Sequence, residues 1–397
     1  MILWGVLIGT VLAMFAAGLI YISFRAARFP AALRLARGKR SLARLLCFTF
    51  FAGLTGLLWF AWNMMNAVVC LIHLVLFWMV ADLAAFVVGK IRNKPSKRYW
   101  AGGAAMVLCV LWLAGGWVAD HHVWTTEYVL ETTKLDREVR LVQISDSHIG
   151  ATFHADGFSR HIETIQELHP DALLVTGDFV DDDTSREDML SACDALGKLN
   201  APQGIYFVFG NHDKGYYSES RRGWTQKELR EALLQNGVTV LEDEAVDVGE
   251  SLCVVGRKDR SAEQRGGRQR AAELLSAVDH SRYIVLLDHQ PHDFDAEAAA
   301  GADLVLCGHT HGGQFIPIRH VGEWMGENAL RYGHERRQDT DFIVSSGISN
   351  WTFRFKTGCR SEIVVIDLLP AQGRRIDLSL PGRMCYTTYD PSSGGAP

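Results

Sequence analysis

Eight residues in five short blocks carry the chemistry this chain could perform. They are Asp146 and His148 in SDSHIG, Asp178 in TGDFVDD, Asn211 and His212 in FGNHDKG, His289 in LLDHQP, and His309 and His311 in LCGHTHGG. The side chains offer carboxylate, imidazole and amide oxygen, with no thiolate. That donor set suits borderline to hard divalent ions such as Mn, Fe or Zn rather than Ca or copper. Setting His212 aside leaves seven ligands, too many for one catalytic ion with an open position and about right for two. Paired ions of this kind clamp the attacking and leaving oxygens of a phosphoryl transfer. A group shared between two ions needs two oxygens, and Asp178 is the candidate.

Such a set must be positioned by regular elements, and the chain supplies them. VRLVQIS, DALLVTG, GIYFVFG, YIVLLDH and DLVLCGH are short apolar runs, and each reaches one of these residues within a position or two of its end. Between them, FSRHIETIQEL, REDMLSACDALGKL, TQKELREALLQNG and AAELLSAV have helical spacing, and Gly237 is placed to end the third. VTVLEDEAVDVG and SLCVVGR read as a strand pair, and DFIVSSG and EIVVIDL close the domain. Strands alternating with helices predict a layered α/β core with its polar site at the strand ends. Asp and Asn at a strand end are ordinary turn formers. Five such ends in order, most flanked by glycine, exceed what turns require.

The ordered blocks D-x-H, GD, GNHD, H and GHTH resemble those of the calcineurin-like metallophosphoesterases. GHTHGGQ, and a late SSG followed by GCRSEIVVIDL, are similar to the membrane-associated bacterial branch of that family. The resemblance covers roughly residues 136–370. Ser147 departs from the apolar or bulkier residue common there, without touching the ligands. The resemblance implies a layered β-sandwich flanked by helices. It implies one ion held by Asp146, His148, Asp178 and His311, and a second held by Asp178, Asn211, His289 and His309. It also implies that His212 faces the phosphate and protonates or stabilises the leaving oxygen, with Asp213 orienting its ring.

The rest of the chain has a different character. Of 397 residues, 48% are hydrophobic and 21% charged, with a net charge of -5, so no basic footprint for nucleic acid exists. The apolar residues concentrate in four runs, 2–23, 45–62, 66–89 and 101–119, each near the length that crosses a bilayer. They predict a four-helix transmembrane region over 1–120, then a linker over 121–135, the catalytic domain over 136–370 and a disordered tail over 371–397. The first run lacks a basic leader and reads as a retained helix. Arg25, Arg28, Arg34, Arg37, Lys39, Arg40 and Arg44 lie between the first two spans, and Lys90, Arg92, Lys94, Lys97 and Arg98 between the last two. Basic residues at span ends favour the cytoplasmic side, so the domain is expected outside an inner membrane. His73 and Asp82 inside the third span read as packing contacts. The eight cysteines show no CxxC spacing, which leaves a zinc–thiolate site unsupported.

Other motifs get ordinary readings. Asp181–Asp183 reads as a solvated loop rather than a calcium site. The basic stretch 260–270 reads as an exposed loop with possible phosphate or lipid-headgroup contact. His154, His292, His320 and His334 read as surface or packing residues.

Together these features lead to a membrane-anchored, dinuclear metal-dependent phosphohydrolase, a phosphodiesterase or pyrophosphatase on a lipid-linked or envelope phosphoester. Two alternatives stand beside it. One is a UDP-diacylglucosamine hydrolase of lipid A synthesis, whose substrate lies on the cytoplasmic face. The other is a non-catalytic membrane receptor that retains the fold. Oligomeric state is left open.

Overall fold

The computed structural model describes all residues except 1, 94–98, 217–218, 266, 372–383 and 386–397, and only the backbone of 2–12, 264–265 and 384–385. The basic residues Lys94, Lys97 and Arg98 therefore lie outside the described residues. The chain forms two units, Met1–Trp117 with Thr352–Arg354, and Val118–Trp351 with Phe355–Pro397.

The first unit is helical. Three helices, Arg40–Ala61, Met64–Ile91 and Ala101–His121, are long and apolar enough to cross a membrane. The expected span at 2–23 is a helix, Ile2–Ala26, but its described apolar part is Ala13–Ala26, too short by the same measure. The expected count of four thus becomes three among the described residues. Large side chains such as Leu57, Phe60, Phe86 and Leu111 face outward, while Ile22, Phe51, Leu71, Trp78 and Ala105 form the interior. Lipid gives no hydrophobic reason for helices to associate, so close packing and polar contacts must do it. Gly102 allows that packing, since a Cβ there would lie 2.7 Å from the rings of Phe29 and Trp78. Asp82 supplies a polar contact. It pairs with Arg25 and accepts from the Tyr21 hydroxyl at 2.9 Å and the Tyr99 hydroxyl at 3.4 Å. His73 Nδ1 lies 2.9 Å from the Val69 carbonyl, one turn away.

The second unit stacks two sheets. Its strands are β1 Val123–Thr132, β2 Val139–Ile144, β3 Ala172–Thr176, β4 Ile205–Val208, β5 Thr239–Val240, β6 Glu244–Val248 and β7 Leu252–Gly256. They continue as β8 Tyr283–Leu287, β9 Leu304–Cys307, β10 Gly333–Arg337, β11 Thr340–Val344, β12 Ser361–Pro370 and β13 Met384–Cys385. One sheet has the order β13-β1-β12-β2-β3-β4-β5, the other β10-β11-β9-β8-β7-β6. Strand periodicity builds the layers. In β3, Ala172 and Leu174 face the second sheet, whereas Leu173 and Val175 face helices Ala155–Glu167 and Arg186–Gly197. In the other sheet Leu304 and Leu306 face inward, and Val305 packs outward with Leu275 and Phe294. The layers are helix, sheet, sheet, helix.

Two expectations differ. The linker over 121–135 contains β1, a ten-residue strand parallel to β12 along its whole length, Val123 opposite Ser361 and Thr132 opposite Pro370. Within the expected tail, Met384–Cys385 pairs with Tyr128–Val129, and most of the remainder lies outside the described residues. The seven described cysteines with placed side chains are free thiols.

Candidate metal centre

The strand-end residues converge on one edge of the stacked sheets. β2, β3, β8 and β9 end beside one another, and the turns after them are tied together. Asp146 N donates to Gly177 O, His148 N to Asp178 O, and Gly308 N to His289 O, all at 3.0–3.1 Å. Glycine is required where these turns touch. A Cβ on Gly308 would collide with Ser145 and Asp146, and one on Gly210 with Asp178.

The side chains gather in two groups, Asp146, His148 and His311, and Asp178, His289 and His309. Within each group the ligand atoms all lie within 4.8 Å of one another. Asp178 stands between them, with Oδ2 at 3.0 Å from His289 Nε2 and 3.8 Å from His148 Nε2. Asn211 follows β4, is buried, and donates from Nδ2 to the Tyr216 hydroxyl at 2.8 Å. That hydrogen bond leaves its Oδ1 for another partner.

Burial would make such a cluster costly without something to bind. Nε2 of His148, Nδ1 of His311 and Oδ1 of Asn211 are buried without a hydrogen-bond partner. Unmet buried polar atoms are rare in folded proteins, and these three belong to the same site. They fit a cation. The orienting contacts fit it as well. His289 Nδ1 lies 2.7 Å from the Thr176 carbonyl, which fixes that nitrogen as the donor and turns Nε2 to the site.

Protonation follows from the same crowding. Burial and then His289 push His309 down to about 4, and burial, His148 and Lys356 hold His311 well below the usual range. Neutral imidazoles are the form that binds metal. Burial opposes the charge on Asp178, but His289, His212 and His148 hold its carboxyl well below the usual carboxylate range. His289 moves the opposite way, raised against burial by Asp178.

The backbone carries strain here. Asp146, His148, Asp178, His309 and His311 all have positive φ, at 53°, 38°, 50°, 69° and 47°. Left-handed backbone costs about 1–2 kcal/mol for a residue with a Cβ. Such outliers persist where the surrounding structure enforces them, commonly at functional sites.

His212 is half-buried beside the two groups, its ring 5.0 Å from that of His148 and its backbone N–H donating to Asp178 Oδ1 at 2.7 Å. Burial lowers its pKa. Asp213 corrects an expectation. Its carboxylate makes no hydrogen bond to the His212 ring among the described residues. Instead it accepts from the backbone N–H groups of Asp178, Phe179, Val180 and Gly210 at 2.7–3.0 Å. It pins the turn that carries Asp178. Burial and then the Asp178 charge push it up to about 7.

Sequence reasoning missed Asp181. The triple-Asp run divides by position. Asp183 is exposed and Asp182 receives Tyr216 N, but Asp181 is buried with Oδ2 at 3.3 Å from His148 Nδ1. In the basic stretch 260–270, Glu263, Gly267, Gln269 and Arg270 are exposed as expected, with one exception. The Arg268 side chain is 1% exposed and pairs with Asp288, which Arg257 also contacts at 3.0 Å. His154, His320 and His334 pair with Asp188, Glu323 and Asp341, away from the centre, and His292 meets the Glu327 carbonyl.

A two-sheet sandwich with two candidate ligand groups at its strand ends is the arrangement that a hydrolase of the dinuclear-metal class requires. Comparison with known proteins makes the assignment specific. A family model described as calcineurin-like phosphoesterase matches residues 139–313. A metallophosphoesterase of Aquifex aeolicus is 34% identical over 212 residues, 52% of this chain and 77% of that protein. A transmembrane protein with a metallophosphoesterase domain from Danio rerio is 31% identical over 242 residues, 59% of this chain and 54% of that protein, so the match spans about half of it. A Bacillus subtilis metallophosphoesterase is 28% identical over 236 residues, 56% of this chain and 79% of that protein. The chain belongs to the calcineurin-like metallophosphoesterases. It is a phosphoric ester hydrolase by family, and three apolar helices associate it with a membrane.

Proposed function

We propose that this chain is a multi-pass, membrane-anchored phosphodiesterase or pyrophosphatase whose domain, roughly residues 136–370, faces away from the cytoplasm, across the inner membrane, toward a lipid-linked or envelope phosphoester. The three unpartnered buried polar atoms on His148, His311 and Asn211, at two clustered ligand groups, carry this reading. Asp146, His148, Asp178 and His311 would hold one divalent ion, and Asp178, Asn211, His289 and His309 the other, with Mn, Fe or Zn suited to the donors. When bound, such ions lower the pKa of water and neutralise charge gathering on a phosphoryl group.

The chain's own residues do the rest. Asp178 separates the two halves and keeps its charge. The Thr176 carbonyl and Asp181 aim two imidazoles, and Tyr216 turns the Asn211 oxygen inward. Asp213 holds the Asp178 turn rigid. His212, outside the ligand groups, offers a ring N–H to the leaving oxygen. The net reaction adds water across one P–O bond and gives a monoester and an alcohol, or two phosphates from an anhydride.

The test is metal analysis of the purified full chain together with activity on lipid and nucleotide phosphoesters. Two ions per chain and turnover of diesters or anhydrides support the reading. A metal-replete protein inactive on every ester points to a fold without chemistry. A cytoplasmic signal from a C-terminal reporter fusion overturns the orientation and favours a UDP-diacylglucosamine substrate.

A further inference from the structure

Two large rings flank His212 at the mouth of the centre. The Tyr216 ring lies 5.1 Å from it at 72°, and the Trp351 ring 5.1 Å from it at 52°. Both remain open to water, with Tyr216 59% and Trp351 38% exposed. Elsewhere the centre presents imidazole, carboxylate and amide. The Tyr216 hydroxyl orients Asn211, but the exposed faces of the two rings offer no cation ligand.

Both residues are anchored at their backbones. Tyr216 N donates to the Asp182 carboxylate at 2.9 and 3.0 Å, and its hydroxyl accepts from Asn211. Trp351 N donates to Oδ1 of Asn350 at 3.0 Å. Asn350 is itself fully buried and anchored by Gln314 Nε2 at 3.0 Å and the Phe355 carbonyl at 3.2 Å. An aromatic side chain has only two rotatable torsions, so little motion is lost when a ligand covers it.

We propose that Tyr216 and Trp351 form an aromatic clamp for the group on the leaving oxygen, so that the site selects phosphodiesters whose leaving group presents a planar aromatic or heteroaromatic face. This rests on the reading of His212 as the residue that meets the leaving oxygen. Stacking of a flat group on such rings tolerates many ring types. The clamp therefore sets a class of leaving group, either a nucleoside or another aryl-bearing alcohol, and small alkyl groups gain nothing from it.

The test uses the metal-loaded full chain in detergent with dibenzyl phosphate, thymidylyl-thymidine and diethyl phosphate. Trp351→Leu is expected to raise KM about tenfold for one or both ring-bearing diesters and to leave diethyl phosphate unchanged. Which of the two diesters responds separates the nucleoside from the aryl source. Tyr216→Leu also loses the hydroxyl contact to Asn211, so it is compared with Tyr216→Phe and should lose the preference for ring-bearing diesters over diethyl phosphate. Tyr216→Phe keeps the ring and should keep the selectivity, separating stacking from the hydroxyl contact to Asn211. An equal loss on all three esters at unchanged metal content, or a shifted pH profile without discrimination, means that the rings only shield His212, and overturns the clamp. If no diester is turned over, the functional reading fails while the clamp is still decided by binding. Benzyl phosphonate should quench fluorescence in the wild type more than in Trp351→Phe, and ethyl phosphonate should not. Equal quenching by the two phosphonates, or none, overturns it.

Discussion

Oδ2 of Asp181 lies 3.3 Å from Nδ1 of His148, behind the ring of a candidate ligand. A carboxylate in that position holds the imidazole's orientation and raises its basicity toward a cation. Here burial works against a charged His148, and Asp181 is the first of the groups that raise it. Asp181→Ala is therefore expected to weaken one ion about 10–100-fold, the one held by Asp146, His148 and His311. The other ion should stay bound. Calorimetric titration of the metal-stripped chain reads this as one shifted site, and loss of both sites together would refute a local role.

Why Asp181 escaped sequence reasoning is instructive. Three consecutive acids look like solvated chain, and only the fold separates a buried one from an exposed one two positions on. The candidate ligands were legible because each lies at the end of an apolar run, most beside a glycine, a local signal of a strand reaching a tight turn. Asp213 was legible as a site residue but not in its task, since four backbone N–H groups from two separate turns leave no trace in side-chain spacing. β1 was lost for a similar reason. Its hydrogen-bonding partner β12 lies near the other end of the chain, and VWTTEYVLET has no glycine or proline to mark it off from a linker. The first apolar run fixed a helix, but not its count among those that cross.

His212 stands next to the ligands without belonging to either group. Its imidazole is expected to assist the leaving oxygen, an effect worth about 10²–10⁴-fold in rate. His212→Ala should lose that much kcat while keeping both ions, with the largest loss on substrates whose leaving oxygen is most basic. Loss of metal from this variant would reassign His212 as a ligand.

The strained backbone at the centre can be measured directly. His311 has φ 47°, so a Cβ there is a liability once the metal role is removed. His311→Gly and His311→Ala both delete the imidazole, but only glycine relaxes the turn. In metal-free protein the glycine variant is expected to be more stable by about 1 kcal/mol, read from thermal or denaturant unfolding. Equal stabilities would mean that the turn carries no strain at this position.

A pH effect on stability should arise away from the centre, at His161 in helix Ala155–Glu167. Its ring lies 4.9 Å from that of Phe153, and burial and then Arg160 lower its pKa from 6.5 to about 4. The unfolded chain thus takes up a proton there more readily than the folded one. Its contribution to stability is complete above pH 6.5, falls as pH drops through the window to about 4, and changes no further below that. Allowing for solvent screening of a partly exposed ring, the loss should be about 2 kcal/mol. His161→Leu keeps an apolar contact with Phe153 and removes the titration, so its unfolding free energy should vary less between pH 6.5 and 4 than that of the wild type. If the two curves run parallel through that window, His161 is not the group responsible for acid sensitivity there.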